Sequence, residues 1–397
     1  MIGAWIRAIV LLPGMVLVII PSILLLPGCS RENERQSRQE TTTVADTTAA
    51  KTPPAKKARP ARVIPLEPSK LGKSIGITAE NYPHIDGSTS TLPLVQAIYI
   101  SMFQPRDEWE FDGLPRKASK TAASYERLIA GDVDLIIVPD PSEDIKQQAA
   151  AAGVELEYIP IGREALVFIT AKYNPVDAIT TEQILKIYTD RSIMNWADLG
   201  GKDGLIIPLS RNKDSGSHAQ MENLILRGKT IHPSIGEGTR YVILGMGTML
   251  TEVEGYDRRK NDVSMNTYTL GYTVFYYLQN FLPTRKHEAA PPGRSVEDEL
   301  RERILVQRVW TPETIRPRLD VKPLAVDGVL PTAETILSGE YKLSMGCYAA
   351  IRKDEPADSP ARRVVDWLLT DKGQWTVTIS GLGALRPVEP EWAASGK

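Results

Sequence analysis

Along most of this chain, short apolar runs alternate with stretches whose apolar residues recur at helical spacing. From about Ile75 the first run ends in "HIDG", a short strand, and "TLPLVQAIYISMF" follows as a helix with an apolar stripe. "SYERLIAGDVDLIIVPD" predicts a helix, a turn at Gly131 and a buried strand, "VDLIIV". "VELEYIPIGREALVFITA" predicts two more strands. "TTEQILKIYTD" is a helix capped by Thr180 or Thr181. "GLIIPLS" is a strand and "SHAQMENLILRG" a helix stopping at Gly228. Near the end, "PTAETILSGE", "KLSMGCYAAIR" and "ARRVVDWLLTDKGQWTV" read helix, strand, helix. Such alternation predicts an α/β fold of packed layers. Residues 283–310 break the pattern: they are charged and Pro-rich, then helical, and read as a surface insertion.

The first 74 residues follow other rules. Arg7 precedes "AIVLLPGMVLVIIPSILLLPGCS", an uncharged apolar run ending in small residues, which reads as an export signal. The same run is long enough to span a bilayer, so an uncleaved anchor stays open. Leu26-Pro27-Gly28-Cys29 resembles a bacterial lipobox, apart from Pro27, and marks residues 1–28 as a lipoprotein signal peptide with Cys29 lipidated. Either reading places the chain outside the cytoplasmic membrane, on the periplasmic side or the cell surface. Residues 29–74 have few large apolar residues and no period, and read as a flexible, disordered tether.

Composition narrows the chemistry further. The chain has 397 residues, which suits two domains, with 42% hydrophobic and 24% charged residues. A net charge of −2 gives no basic surface for nucleic acid. Four histidines and two cysteines, with no CxxC or HExxH spacing, point away from a metal centre and from any cofactor. With Cys29 lipidated, Cys347 stands alone as a small buried residue.

In open α/β sheets, ligands sit where strands end and helices begin. Three such junctions here are unusually polar. The first is Asp86-Gly87-Ser88-Thr89-Ser90-Thr91. The second is Pro139-Asp140-Pro141-Ser142, and the third is the segment with Arg211, Asp214, Ser215, Gly216 and Ser217. The first N–H groups of a helix have no internal partner, and the helix dipole favours negative charge there. Small residues let an anion approach those groups, and hydroxyls add donors. One Ser suffices for a cap; several, at more than one junction, suit a dehydrated oxyanion.

With these residues in place, the chain resembles the phosphate-binding proteins of bacterial ABC importers. "IDGSTSTLPL" is similar to the family's first binding loop. "ITTEQILKIYTDRSIMNWADLGGKDGLIIPLSRNKDSGSHAQME" resembles its most specific segment, and "TLGYTVFYY" and the segment from "VDGVLPTAETILSGE" onward resemble later ones. The likeness runs from about residue 76 to 386. It implies a two-lobed, type II periplasmic binding protein-like fold with a hinge. Lobe one would be 76–158 plus 322–397, and lobe two 159–321. It also implies phosphate ligands: Ser88, Thr89 and Ser90, then Thr121 (or Ser124 in a shifted register), then Arg211, Ser215, Gly216 and Ser217. Asp140 would be the carboxylate that accepts from a protonated phosphate oxygen and repels sulfate. "FDGLPRKASKTAAS" lacks the family's glycine-rich serine loop, and His218 stands where small residues are common. His218 reads as a first-turn residue facing solvent.

The implied function is a monomeric, membrane-tethered lipoprotein that captures inorganic phosphate and delivers it to an ABC permease. The alternatives are a sensor of phosphate or another oxyanion, and an adhesion or scaffold lipoprotein that kept the fold. A hydrolase built on Ser217, His218 and Asp140 is disfavoured, because adjacent residues at a helix start rarely face each other and no GxSxG elbow is present.

Overall fold

One long strand organises the molecule. β3 (Leu156–Ala171) runs through both halves of a seven-stranded sheet, and β11 (Ser344–Arg352) returns beside it, antiparallel. The computed structural model describes residues 53–55, 64–104, 106, 111–260, 267–279 and 320–388. Cys29, the signal peptide and the 283–310 segment lie outside the described residues. Among those described, no helix is long and apolar enough to cross a membrane.

The first half contains β1 (Ile85–Gly87) and β2 (Leu135–Val138), which are parallel, with β2 antiparallel to β11. β2 reads as a continuous apolar run because it is covered on both faces. Leu135 and Ile137 join one core, with Cys347, Ala349 and Ile351 of β11. Ile136 and Val138 join the other, with Ala350. Against one face pack α2 (Leu92–Met102), α10 (Pro360–Leu369) and α11 (Asp371–Ile379). Against the other pack α3 (Thr121–Ile129) and α4 (Glu143–Ala151).

The second half is built on the C-terminal part of β3, paired with β8 (Tyr268–Val274) and β9 (Val321–Pro323); β5 (Ile206–Pro208) lies parallel to β8. Small parallel pairs join β4 (Ala178–Ile179) to β10 (Ala325–Val326), and β6 (Ser210–Arg211) to β7 (Val242–Ile243). The helices are α5 (Thr181–Tyr188), α6 (Gly216–Gln220) with a π turn over Met221–Leu226, α7 (Met246–Lys260), α8 (Phe275–Gln279) and α9 (Ala333–Ser338). α5 starts at a full capping box, Thr180 with Gln183.

The structure corrects four expectations. The two strands expected in 154–171 are one. Pro160 and Gly162 do not break it: Cys347 and Tyr348 of β11 pair with Gly162 and Pro160, leaving Ile161 as one extra residue on β3, so the strand bulges rather than ends. The helix expected over 361–377 is two, since Thr370 leaves the helical region and caps the second. The tether ends earlier than residue 74. Ile64 and Leu66 are buried in the first core, and Ser69 caps a helical turn, α1 (Lys70–Ser74). Two apolar side chains in a Pro-rich stretch carry too little period to read. Finally, the return to the first half does not occur at residue 322. Leu324, Val326, Ile336, Tyr341 and Leu343 pack in the second core, so the chain crosses back only in β11.

Candidate functional site

The three polar junctions meet between the two halves. Gly87 closes the first strand so tightly that an added Cβ would stand 2.6 Å from the Ile137 carbonyl and from Thr91 Oγ1. The loop then folds on itself: Ser88 Oγ lies 2.9 Å from Ser90 Oγ and 3.1 Å from Thr91 Oγ1. Thr91 is therefore inward and structural, donating to the Ile137 carbonyl at 2.5 Å. Asp86, also in the quoted stretch, is buried but serves the scaffold. It accepts from the N–H groups of Gly87 and Ser119 and pairs with Arg127, fixing the approach to α3.

α3 begins at Lys120, whose backbone (φ 76°, ψ 169°) lies in a region that favours glycine. Strain of this kind needs support from its surroundings, and here it aims the start of α3 into the cavity. Thr121 Oγ1 is buried with no hydrogen-bond partner among the described residues. Ser124, the alternative, donates to the Thr121 carbonyl at 2.9 Å and is occupied within the helix.

From the second half, Arg211 and the start of α6 close the space. The Arg211 side chain is 4% exposed. Its Nε donates to the Ile243 carbonyl at 2.8 Å, and its terminal nitrogens reach the Leu244 carbonyl at 3.2 Å and Ser217 Oγ at 3.4 Å. The Tyr272 hydroxyl accepts from the Arg211 N–H. Among the described residues no carboxylate pairs with this guanidinium, and burial pulls its pKa down. Ser215 caps α6 by accepting from the His218 N–H. A Cβ on Gly216 would stand 2.6 Å from Thr121 Oγ1 and 3.1 Å from Pro139 Cγ, so the halves touch here.

The result is a cavity of about 30 Å³, room for two or three waters or one small anion. Ser88, Thr89, Ser90, Thr121, Arg211, Ser215, Gly216 and Ser217 all line it. Asp140 does not. Its carbonyl accepts from Gln220 Nε2 at 3.3 Å, across the halves. Burial raises its carboxyl pKa, partly offset by a hydrogen bond from Tyr348. The prolines on either side hold Asp140 beside the cavity rather than in its wall.

The carboxyl that does line the cavity is Glu164, on β3. Oε1 accepts from the N–H groups of Ala165 and Tyr276, at 3.0 and 2.9 Å; Oε2 is buried with no partner among the described residues. Burial pushes this acid up to about 8, against the pull of those N–H groups. Sequence reasoning passed over it, although a lone acid inside "ALVFITA" and its approach was a visible anomaly. Lys120, Leu244, Met246, Val274, Met345 and Cys347 were also missed as wall residues. They come from four separate segments, and no local pattern unites them.

His218 is buried, not solvent-facing: Nδ1 lies 3.3 Å from the Tyr272 hydroxyl and Nε2 3.4 Å from Glu222. Both ring nitrogens thus face partners other than Ser217 and Asp140, so no Ser-His-Asp relay is assembled. No group of His, Cys, Asp and Glu able to hold a metal occurs among the described residues.

The sequence profile of a PBP superfamily domain matches residues 74–372. The chain belongs to the PBP superfamily. Among curated relatives, the phosphate-binding protein PstS of Staphylococcus aureus is 21% identical over 299 residues, covering 73% of this chain and 74% of the relative. Among solved structures is a protein from Clostridium perfringens with bound phosphate, described as a phosphate ABC transporter substrate-binding protein. It is 23% identical, with a TM-score of 0.50 over 76% of this chain and 98% of its own. An ABC-type phosphate transport receptor from Vibrio cholerae is 18% identical, with a TM-score of 0.49 over 77% and 99%. In this PBP superfamily member the fold is the two-lobed one that the family resemblance implied, and the junctions that line the cavity sit between its halves.

Proposed function

We propose that this protein captures inorganic phosphate between its two halves, outside the cytoplasmic membrane, and hands it to an ABC permease. Arg211 is the observation that carries the reading. A guanidinium with no acidic partner is costly to bury unless an anion completes it. Around it stand the starts of α3 and α6 and a ring of hydroxyls, donors that a bare phosphate oxygen needs and an apolar ligand does not. The relatives named for phosphate support the choice of anion. A monomer held by a lipid on Cys29, with the tether giving reach toward the permease, fits the N-terminal sequence. The site is arranged for binding rather than catalysis, since no nucleophile is paired with a base.

Capture works by population shift. In the open form each half offers part of the site; the anion bridges them and favours closure. Isothermal titration of a soluble fragment starting at about Ile64, where the core begins, tests this with phosphate and sulfate. Phosphate binding is expected, weakened at least about 30-fold in Arg211→Ala, because truncating one partner of a buried charge pair costs about 2–5 kcal/mol. Asp140→Ala, outside the wall, should weaken binding less than Arg211→Ala. No heat and no thermal shift with phosphate would sink the proposal and favour a fold kept as a scaffold or for another ligand.

A further inference from the structure

Resting on the phosphate reading, one group in the cavity calls for a role of its own. Glu164 is 4% exposed, and among the described residues it is the only Asp or Glu side chain lining the cavity that holds Arg211. Its Oε1 is engaged by two backbone N–H groups, while Oε2 has no partner among the described residues. An ionised carboxylate there would need a donor at Oε2 and would oppose an incoming anion. A neutral carboxyl reverses both facts: Oε2 becomes a donor on a side chain that lines the space where an oxyanion is wanted. We propose that the Glu164 carboxyl is the proton-carrying group of this site, entering the complex protonated and donating a hydrogen bond from Oε2 to an oxygen of the bound phosphate.

The surroundings fit a neutral acid. Burial pushes Glu164 up to about 8. Lys120, from the start of α3, and Arg211, from β6, share the cavity with it. Cys347 faces it from β11, with its own thiol pushed up by burial and by the neighbouring acid. From α8 come the N–H groups of Phe275 and Tyr276; the Tyr276 phenol is turned toward Gly383, and Tyr277 packs on Met246, Val274 and Met345. Arg163, the preceding residue on β3, alternates to the opposite face. β3 is also a crossover strand, so the proton sits where the two halves join.

Proton balance gives the test. Above the Glu164 titration the free protein is ionised there, and phosphate is the dianion, HPO4. Binding then draws one proton from buffer onto Glu164, with no bond to phosphorus made or broken. Wild-type affinity for HPO4 should fall by up to about tenfold per pH unit above the titration. Titration calorimetry at about pH 9, one unit above it, in two buffers of different ionisation enthalpy counts the protons taken up. Wild type should take up close to one; Glu164→Gln should take up none, and its affinity should be flat with pH in this range.

A second measurement needs no substitution. In wild-type protein carrying carboxyl-labelled glutamate, carbon NMR should show one resonance titrating near pH 8 when free. With saturating phosphate it should stay at its protonated position across the same range. Equal proton uptake in both proteins, or an unchanged titration with phosphate bound, would overturn this inference alone. No phosphate heat in wild type at any pH would overturn the proposed function and this inference together.

Discussion

At the scale of single residues, charge in a small cavity decides what the site can hold. Arg211 and Glu164 are both buried, yet burial acts on them in opposite senses. Burial lowers the guanidinium's titration, yet an arginine side chain is a charged group throughout the physiological range. The carboxyl, moved to about 8, is neutral at physiological pH. The cavity is therefore cationic, although its sequence contributes both signs. The raised acid also affects stability. In the unfolded chain Glu164 ionises from its usual 4.5 upward, while in the folded protein it keeps its proton to about 8. The folded state binds more protons in that window, so stability from this group is fully present below pH 4.5 and is lost as pH rises toward 8. The slope is at most about 1.4 kcal/mol per pH unit. Denaturant melts of wild type and Glu164→Gln, without phosphate, should differ by a slope in that window and by a constant above it. A constant difference across the whole window would mean that Glu164 is ionised in the folded protein.

Elements place these residues. Helix starts converge on the cavity because each follows a strand or loop that ends between the halves, and each start is fixed by a different local device. α6 uses the Ser215 cap, whereas α3 lacks a side-chain cap and depends on the strained Lys120 backbone. What holds that approach is Asp86, tied to the Ser119 N–H and to Arg127 within α3. Asp86→Ala should cost about 1–3 kcal/mol of stability, the range for leaving buried polar partners unmet. Because Arg127 is partly exposed and can turn to water, the lower part of that range is expected. Phosphate affinity should fall as well, although Asp86 does not line the cavity. Unchanged affinity in a destabilised variant would show that the start of α3 keeps its place without this anchor.

At the scale of the whole molecule, two cores share one sheet through β3 and β11. Two crossing strands allow the halves to rotate while the ladder stays intact. The closed contact is narrow, with Gly216 against Thr121 and Pro139, and Gln220 reaching the Asp140 carbonyl. A valine at position 216 would fill the gap that closure needs, without touching either core. Gly216→Val should weaken phosphate binding about 5- to 150-fold, the span of a 1–3 kcal/mol overpacking cost. X-ray scattering should show wild type becoming more compact with saturating phosphate and the variant remaining expanded. Equal compaction in both proteins would mean that the halves close without this approach.

The alternating pattern determined the layers, and the hydroxyl-rich helix starts marked the hydroxyl-bearing part of the cavity wall, because helix capping and anion binding draw on the same local groups. Thr180 could be read as a cap for the same reason: a cap acts within four residues of itself. Tertiary structure decided what local pattern cannot carry. It put Ile64 and Leu66 into a core, and it gave residues 321–343 to the second half although they lie close in sequence to β11. It turned Asp140 toward Tyr348 and left Glu164 in the wall instead. Both are lone acids at or within apolar strands, and only Asp140, in a polar junction, stood out in the sequence. Which one faces the anion depends on strand register and on how two distant segments meet, and so does the burial that keeps the proton on Glu164.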